Sequence, residues 1–158
     1  MRGVQMKREA YERFNQQELM AGNMYGEARF VETSLVGEVQ EWLAIGSVVM
    51  NRYRSNRWPQ SIKGVILQKA QFSWLTDTDP SNKPTWLFLA NQSPPETYKT
   101  LMRYANTVIT GRCEDFSGGA NHYVAEWFYR KAPIGHWCLE QKIVRAWGGH
   151  IFLTDGRP

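Results

Sequence analysis

Glu27 is the residue in this chain best placed to do chemistry. It stands in Asn23-Met24-Tyr25-Gly26-Glu27-Ala28-Arg29. If that stretch is helical, residues three and four apart share a face, and Glu27 sits among Met24, Phe30 and Val31 with Asn23 in reach. Apolar neighbours solvate a carboxylate poorly and favour the neutral acid, the form a general acid needs near neutral pH. Arg29 projects to a different face and need not strip the proton away. The competing role is structural, a glutamate that caps or braces a helix. Two further groups bring hydrogen bonding and stacking. Gln71-Phe72-Ser73-Trp74 sets an amide and a hydroxyl beside two rings, which suits a sugar with one apolar face and many hydroxyls. Asn121-His122-Tyr123 repeats that composition after Gly118-Gly119, where a ligand can approach the backbone closely. His122 and His150 have no third ligand at a suitable spacing, so neither a metal nor another cofactor is expected.

These groups need a scaffold, and 158 residues suffice for one domain with a real core. The aromatic share is 13%, with seven Trp. Most of those rings belong in the core, while the polar-flanked Trp58, Trp74, Trp127 and Trp137 are candidates to offer a flat face to a sugar or base. The net charge of +4 biases the surface toward polyanions such as nucleic acid, wall polymers or anionic membranes, without selecting one. Cys113 and Cys138 lack a CxxC or metal spacing and read as thiols more readily than as a disulfide. No apolar h-region follows Met1–Arg8, and no window is apolar enough to span a bilayer. The expected product is soluble, made in the cytoplasm without a signal peptide.

The periodicity predicts a helix over residues 16–29. A central helix is expected over 35–53, with Leu35, Val36, Val39, Trp42, Leu43, Gly46, Val49, Met50 and Tyr53 on its buried face. Asn51-Arg52 is expected to fix helix ends by hydrogen bonds. A shorter helix or turn follows over 62–68. Residues 76–95 read as a long loop, pinned by Trp86-Leu87-Phe88-Leu89 and suited to covering a substrate. Ser93-Pro94-Pro95-Glu96 reads as a capping box opening a helix that Gly111 ends. Ile143–Trp147 and Ile151–Leu153 around Gly148-Gly149 predict a hairpin. The fold class is α+β, mainly helical, with a small late β element. It forms one domain over 1–158, with residues 1–15 as an N-terminal extension and 16–153 as the core.

Seven motifs in order carry a family resemblance: Tyr25-Gly26-Glu27-Ala28-Arg29, Val48-Val49-Met50-Asn51-Arg52, Trp58-Pro59-Gln60-Ser61-Ile62, Gly64-Val65-Ile66, Gln71-Phe72-Ser73-Trp74, Gly118–Tyr123 and Gly149-His150-Ile151-Phe152. Over residues 19–153 the chain resembles the SleB-type cell wall hydrolases, whose spore cortex-lytic members share this catalytic domain. The resemblance implies a lysozyme-like, lytic-transglycosylase-like domain acting on peptidoglycan, with the family's catalytic glutamate at Glu27. The family motif usually continues with Gly-Glu, where this chain has Phe30-Val31-Glu32, so Glu32 or Glu38 would have to supply a second glutamate. The absence of a signal or wall-binding module looks like a phage endolysin or a virion-associated muralytic protein.

The expected function is cleavage of the MurNAc–GlcNAc bond, with Glu27 as the sole acid and base and a 1,6-anhydro product. A muramidase using water would need a second carboxylate, at roughly 5 or 6.5–9.5 Å, from among Glu32, Asp77, Asp79 and Asp115. Gln71, Ser73, Trp74, Asn121, His122 and Tyr123 are the expected substrate contacts. The expected partner is peptidoglycan rather than nucleic acid. Action in the periplasm or cell wall would require a holin-like export partner, and the protein is expected to be a monomer. A module that binds glycan or nucleic acid without chemistry, or a structural virion part, stays open.

Overall fold

The computed structural model describes residues 6–28, 38–68 and 71–158. Arg29, Phe30, Val31 and Glu32 lie outside the described residues, as does the side chain of Glu38.

Helix α1 (Gln16–Ala28) starts on a reciprocal cap. The Glu18 amide donates to Asn15 Oδ1 at 2.8 Å, and the Asn15 amide donates to Glu18 Oε1 at 3.1 Å. Two orphan amides of the first turn are thereby satisfied. α1 is buried nearly all round through Leu19, Met20, Ala21, Gly22, Asn23 and Met24. It contacts α2 (Glu38–Tyr53), α3 (Ile62–Leu67), α4 (Asn82–Asn91) and α5 (Pro95–Ile109). The helix enclosed by the others is therefore α1, whereas α2, expected to be central, links the helical body to the sheet.

Two expectations need correction. The loop over 76–95 contains α4, in which Phe88 and Leu89 are buried and Phe88 stacks on Tyr25 at 4.2 Å. Its Pro84 falls in the first turn, where no intrahelical amide bond is lost. The capping box at Ser93 does not form, and Pro94 is the N-cap of α5. A residue before proline avoids the helical region. Pro94 therefore stays extended, the helix begins one residue late at Pro95, and Ser93 falls out of register with Glu96.

Residues 6–14, set apart in the sequence as an extension, pack into the core. Tyr11 of a 3-10 turn (Arg8–Arg13) and Phe14 just after it are buried against Trp74 and Trp86. Buried Asn82 fastens this segment. Its Oδ1 accepts from the Met6 amide at 2.8 Å, and its Nδ2 donates to Met6 O at 2.8 Å and Trp74 O at 3.0 Å.

The last third forms a three-stranded antiparallel sheet in the order β1 (His122–Ala125), β3 (His150–Thr154), β2 (Lys142–Trp147). The predicted hairpin around Gly148-Gly149 is β2–β3. Between β1 and β2 lie short helices α6 (Glu126–Lys131), which carries the aromatic run Trp127-Phe128-Tyr129, and α7 (Trp137–Glu140). Tyr123 pairs with Phe152 and Ala125 with His150, so these four share one face of the sheet. Phe152 on that face is buried with Ala44, Ile45 and Val48 of α2, and this packing seats the sheet on the helical body.

Candidate active site

A cleft of about 970 Å³ lies between the end of α1 and the sheet. Glu27 and Gly26 line one wall, with Gln71, Ser73 and Asp79 beside them. Tyr123, His150 and Gly148-Gly149 line the other, and Trp127 and Phe128 of α6 form a lip. Gly26 allows this arrangement, because a Cβ there would stand 2.7 Å from Trp74 Cγ and 2.9 Å from Thr85 Oγ1.

Glu27 retains some exposure at the cleft floor, while its carboxyl is hemmed in by protein on most sides. Burial pushes its pKa up to about 7. His150 and Arg52 pull it down and Asp79 pushes it up, but burial dominates. The setting thus brings the carboxyl's pKa close to neutral pH, where a general acid works best. Beside Glu27 the buried Asn23 side chain meets the Tyr123 hydroxyl, and elsewhere in the cleft lining Glu41 Oε2 has no hydrogen-bond partner among the described residues. Asn23 is one turn before Glu27, and its Oδ1 accepts from Trp74 Nε1 at 2.8 Å.

Arg52 connects the two walls. Its buried guanidinium donates to Asn121 O at 2.7 Å and to Gln71 Oε1 at 3.0 Å, and it lies 5.5 Å from the rings of both Trp58 and Phe72. Asn51 donates to Asp115 Oδ2 and Ala120 O, each at 2.9 Å. The Asn51-Arg52 pair therefore ties the loops at 115–121 and 71 to α2 rather than fixing helix ends.

The cleft brings together Glu27, Gln71, Ser73 and Tyr123 of the residues singled out in the sequence. It does not include Trp74, Asn121 or His122. Trp74 is wholly buried against Tyr11, so no face of it meets a ligand. Asn121 donates to Asp155 Oδ1 at 2.9 Å, in the cluster where Arg57 also pairs with Asp155. His122 is on the opposite face of β1 from Tyr123, packed beside Trp58 and Trp137. Burial, seconded by Arg52, lowers its pKa to about 4, so it is neutral at physiological pH. Of the candidate second carboxylates, Asp79 lines the cleft, while Asp115 caps its own turn through Ser117 and Gly119.

Of the four Trp residues read as possible flat faces for a sugar, Trp127 alone lines the cleft, 67% exposed at its lip. Sequence reasoning missed Glu41 in the same cleft. Glu41 is fully buried, and its Oε1 is 2.6 Å from His150 Nδ1. Its signal was present: Glu41 shares a helical face with Ala44, Ile45 and Val48, which places a charge inside an apolar stripe.

The sequence model of the cell wall hydrolases matches residues 37–153. The chain belongs to the cell wall hydrolase family. The match begins beyond Glu27, so the assignment of that glutamate rests on the cleft and on the motif around it. This family member is similar to the spore cortex-lytic enzyme of Halalkalibacterium halodurans, with 29% identity over 140 residues. The aligned part is 89% of this chain and 35% of that protein, so the chain spans about a third of the relative's length. Its fold resembles the catalytic domain of Bacillus cereus SleB, with TM-score 0.57 and 22% identity over 88% of this chain and 89% of that one. It also resembles the catalytic domain of the germination-specific lytic transglycosylase SleB from Bacillus anthracis, with TM-score 0.57 and 21% identity over 88% and 93%. The likeness to both is one of fold: mainly helical, with the small sheet closing one side of the cleft.

Proposed function

We propose that this cell wall hydrolase is a lytic transglycosylase that cuts the MurNAc–GlcNAc bond of peptidoglycan with Glu27 as its acid and base. The observation that carries the reading is the place of Glu27 in an open cleft with its carboxyl largely enclosed by protein, where burial pushes its pKa up to about 7. The Glu27 carboxyl donates its proton to the bridging oxygen. The C1–O bond breaks, GlcNAc leaves as an alcohol, and positive charge develops at muramic C1. The Glu27 carboxylate then takes the proton of the muramic C6 hydroxyl as O6 closes on C1. The product is a 1,6-anhydro end, no water is consumed, and Glu27 is protonated again.

Gln71 and Ser73, both exposed in the cleft wall, supply hydrogen bonds to acetamido and hydroxyl groups. The Tyr123 hydroxyl, buried between Asn23 and Glu27, steadies the carboxyl or the forming cation. The net charge of +4 suits an anionic wall. We read the whole chain as a single catalytic domain and the protein as a bacteriolytic, endolysin-like enzyme that reaches the wall with a holin-like partner. Loss of turbidity of permeabilised cells on adding it tests that role. Asp79 in the same cleft favours one second reading, a muramidase in which that carboxylate assists water.

Mass spectrometry of fragments released from purified peptidoglycan by the parent and Glu27→Gln decides between these readings. Anhydro-muropeptides from the parent alone support the transglycosylase. Reducing-end muramic products move the reaction to hydrolysis, and release by Glu27→Gln removes that residue from the mechanism.

A further inference from the structure

Glu41 is a buried carboxylate that the reaction above leaves unused. It has no exposure, its Oε1 is 2.6 Å from His150 Nδ1, and its Oε2 has no partner among the described residues. Gly148 makes room for it, since a Cβ there would lie 1.6 Å from Oε2. An ion pair in such a place costs several kcal/mol of desolvation, and apolar residues of similar volume often serve a core as well or better. Stability therefore gives little reason for Glu41 to be there. The His150 ring is also nearly buried, stands edge-on to Tyr123 at 5.3 Å, and forms part of the cleft wall facing Glu27.

We propose that Glu41 is a positioning residue that acts on Glu27 through His150: it holds the imidazole in the cleft wall and carries its counter-charge, so that the ring stabilises the Glu27 carboxylate formed midway through the reaction. The inference rests on Glu27 as acid and base. Once Glu27 has given up its proton, a bare carboxylate remains in a poorly solvated site, and a nearby cation lowers the cost. Among the described residues, the groups acting on Glu27 are Asp79 from the turn before α4, Arg52 from α2, Tyr123 from β1 and His150 from β3, while Glu41 from α2 lines the same cleft behind His150. Arg52 is committed to Gln71 and Asn121 O. His150 is the ring in the cleft wall whose placement depends on one buried carboxylate. The hydrogen bond to Glu41 assigns a proton to His150 Nδ1, which fixes the orientation of the ring.

The test is a carbon-13 NMR titration of the Glu27 side-chain carboxyl in the parent, Glu41→Gln, His150→Gln and the double variant, with kcat and KM on peptidoglycan alongside. His150 pulls the Glu27 midpoint down, so Glu41→Gln is expected to raise it. His150→Gln raises it as well, and the double variant goes no further than His150→Gln. Glu41→Asp, which keeps the charge, stays nearer the parent. Kcat falls in Glu41→Gln while KM holds. A midpoint that is unmoved or lower in folded Glu41→Gln overturns the proposal, as does additivity in the double variant. If Glu41→Gln fails to fold, Glu41→Met is read in its place. The titration needs no turnover. A parent that releases no fragments overturns the proposed activity, while the midpoints still decide whether Glu41 acts on Glu27.

Discussion

Glu27→Gln is expected to make the protein more stable at alkaline pH while abolishing its activity. Burial lifts the carboxyl from the ordinary 4.5 to about 7. At about 1.36 kcal/mol per pH unit, that gap is worth about 3 kcal/mol, an upper figure because the residue keeps some contact with cleft water. The folded pKa is raised, so the stabilising contribution of the neutral acid is complete below about pH 4.5. It drains away as the pH climbs toward 7, because the unfolded chain ionises this carboxyl freely while the folded chain keeps its proton. Above pH 8 the parent carries the whole cost of a buried charge. Glutamine keeps the shape and never ionises. Urea unfolding of both proteins from pH 4 to 9 should give curves that coincide at the acid end and separate by up to about 3 kcal/mol at the alkaline end. In melting temperature that is about 10 °C, at roughly 2–4 °C per kcal/mol for a chain of this size. Titrations common to both proteins cancel in the difference. A gap that is constant across the range would refute the claim that the cleft holds Glu27 protonated.

Three further substitutions probe the same cleft. Gly26→Ala should destabilise the fold by about 1–3 kcal/mol, despite alanine's better helix propensity, because its methyl meets the rigid Trp74 ring at 2.7 Å; thermal melts check this. Tyr123→Phe should slow turnover less than Glu27→Gln and cost at most about 1 kcal/mol of stability, since the hydroxyl's one side-chain contact is with Asn23, and parental kinetics would remove it from the site. Trp127→Ala should raise KM without altering the melting temperature, because the ring stands at the lip with most of its surface in water; an unchanged KM would show that it is not a sugar platform.

The long periodic elements were legible in the sequence because each is decided locally. The helix from residue 16, the part of the expected 35–53 helix that lies among the described residues, and the Gly-Gly hairpin follow from spacing and turn chemistry. Failures came where a choice is made across the fold. Trp74 and Tyr123 look alike in the sequence, each an aromatic beside polar neighbours. One ring turns inward to Asn23, however, and the other faces the cleft. Asn121 and His122 were grouped with Tyr123 by adjacency, yet a strand sends successive side chains to opposite faces, and Asp155 claims the Asn121 amide. Asn82 joining Met6, and Glu41 meeting His150, are pairings between distant segments that no local pattern contains. The two caps show the same limit at short range. Asn15 and Glu18 close a box that passed unnoticed, while the more conspicuous Ser93 is thrown out of register by consecutive prolines.

The division of the cleft between α1 and the late sheet also sets an order in time. During synthesis Glu27 leaves the ribosome well before Tyr123 and His150, and the wall they form needs β1 and β3 paired with each other. A nascent chain carrying everything up to α5 thus holds the acid without the opposite wall, and without the loop carbonyl of Asn121 that Arg52 binds. The cleft is complete only once the sheet docks on α2, so on the proposed mechanism the growing fragments would hold the glutamate without the wall it works against.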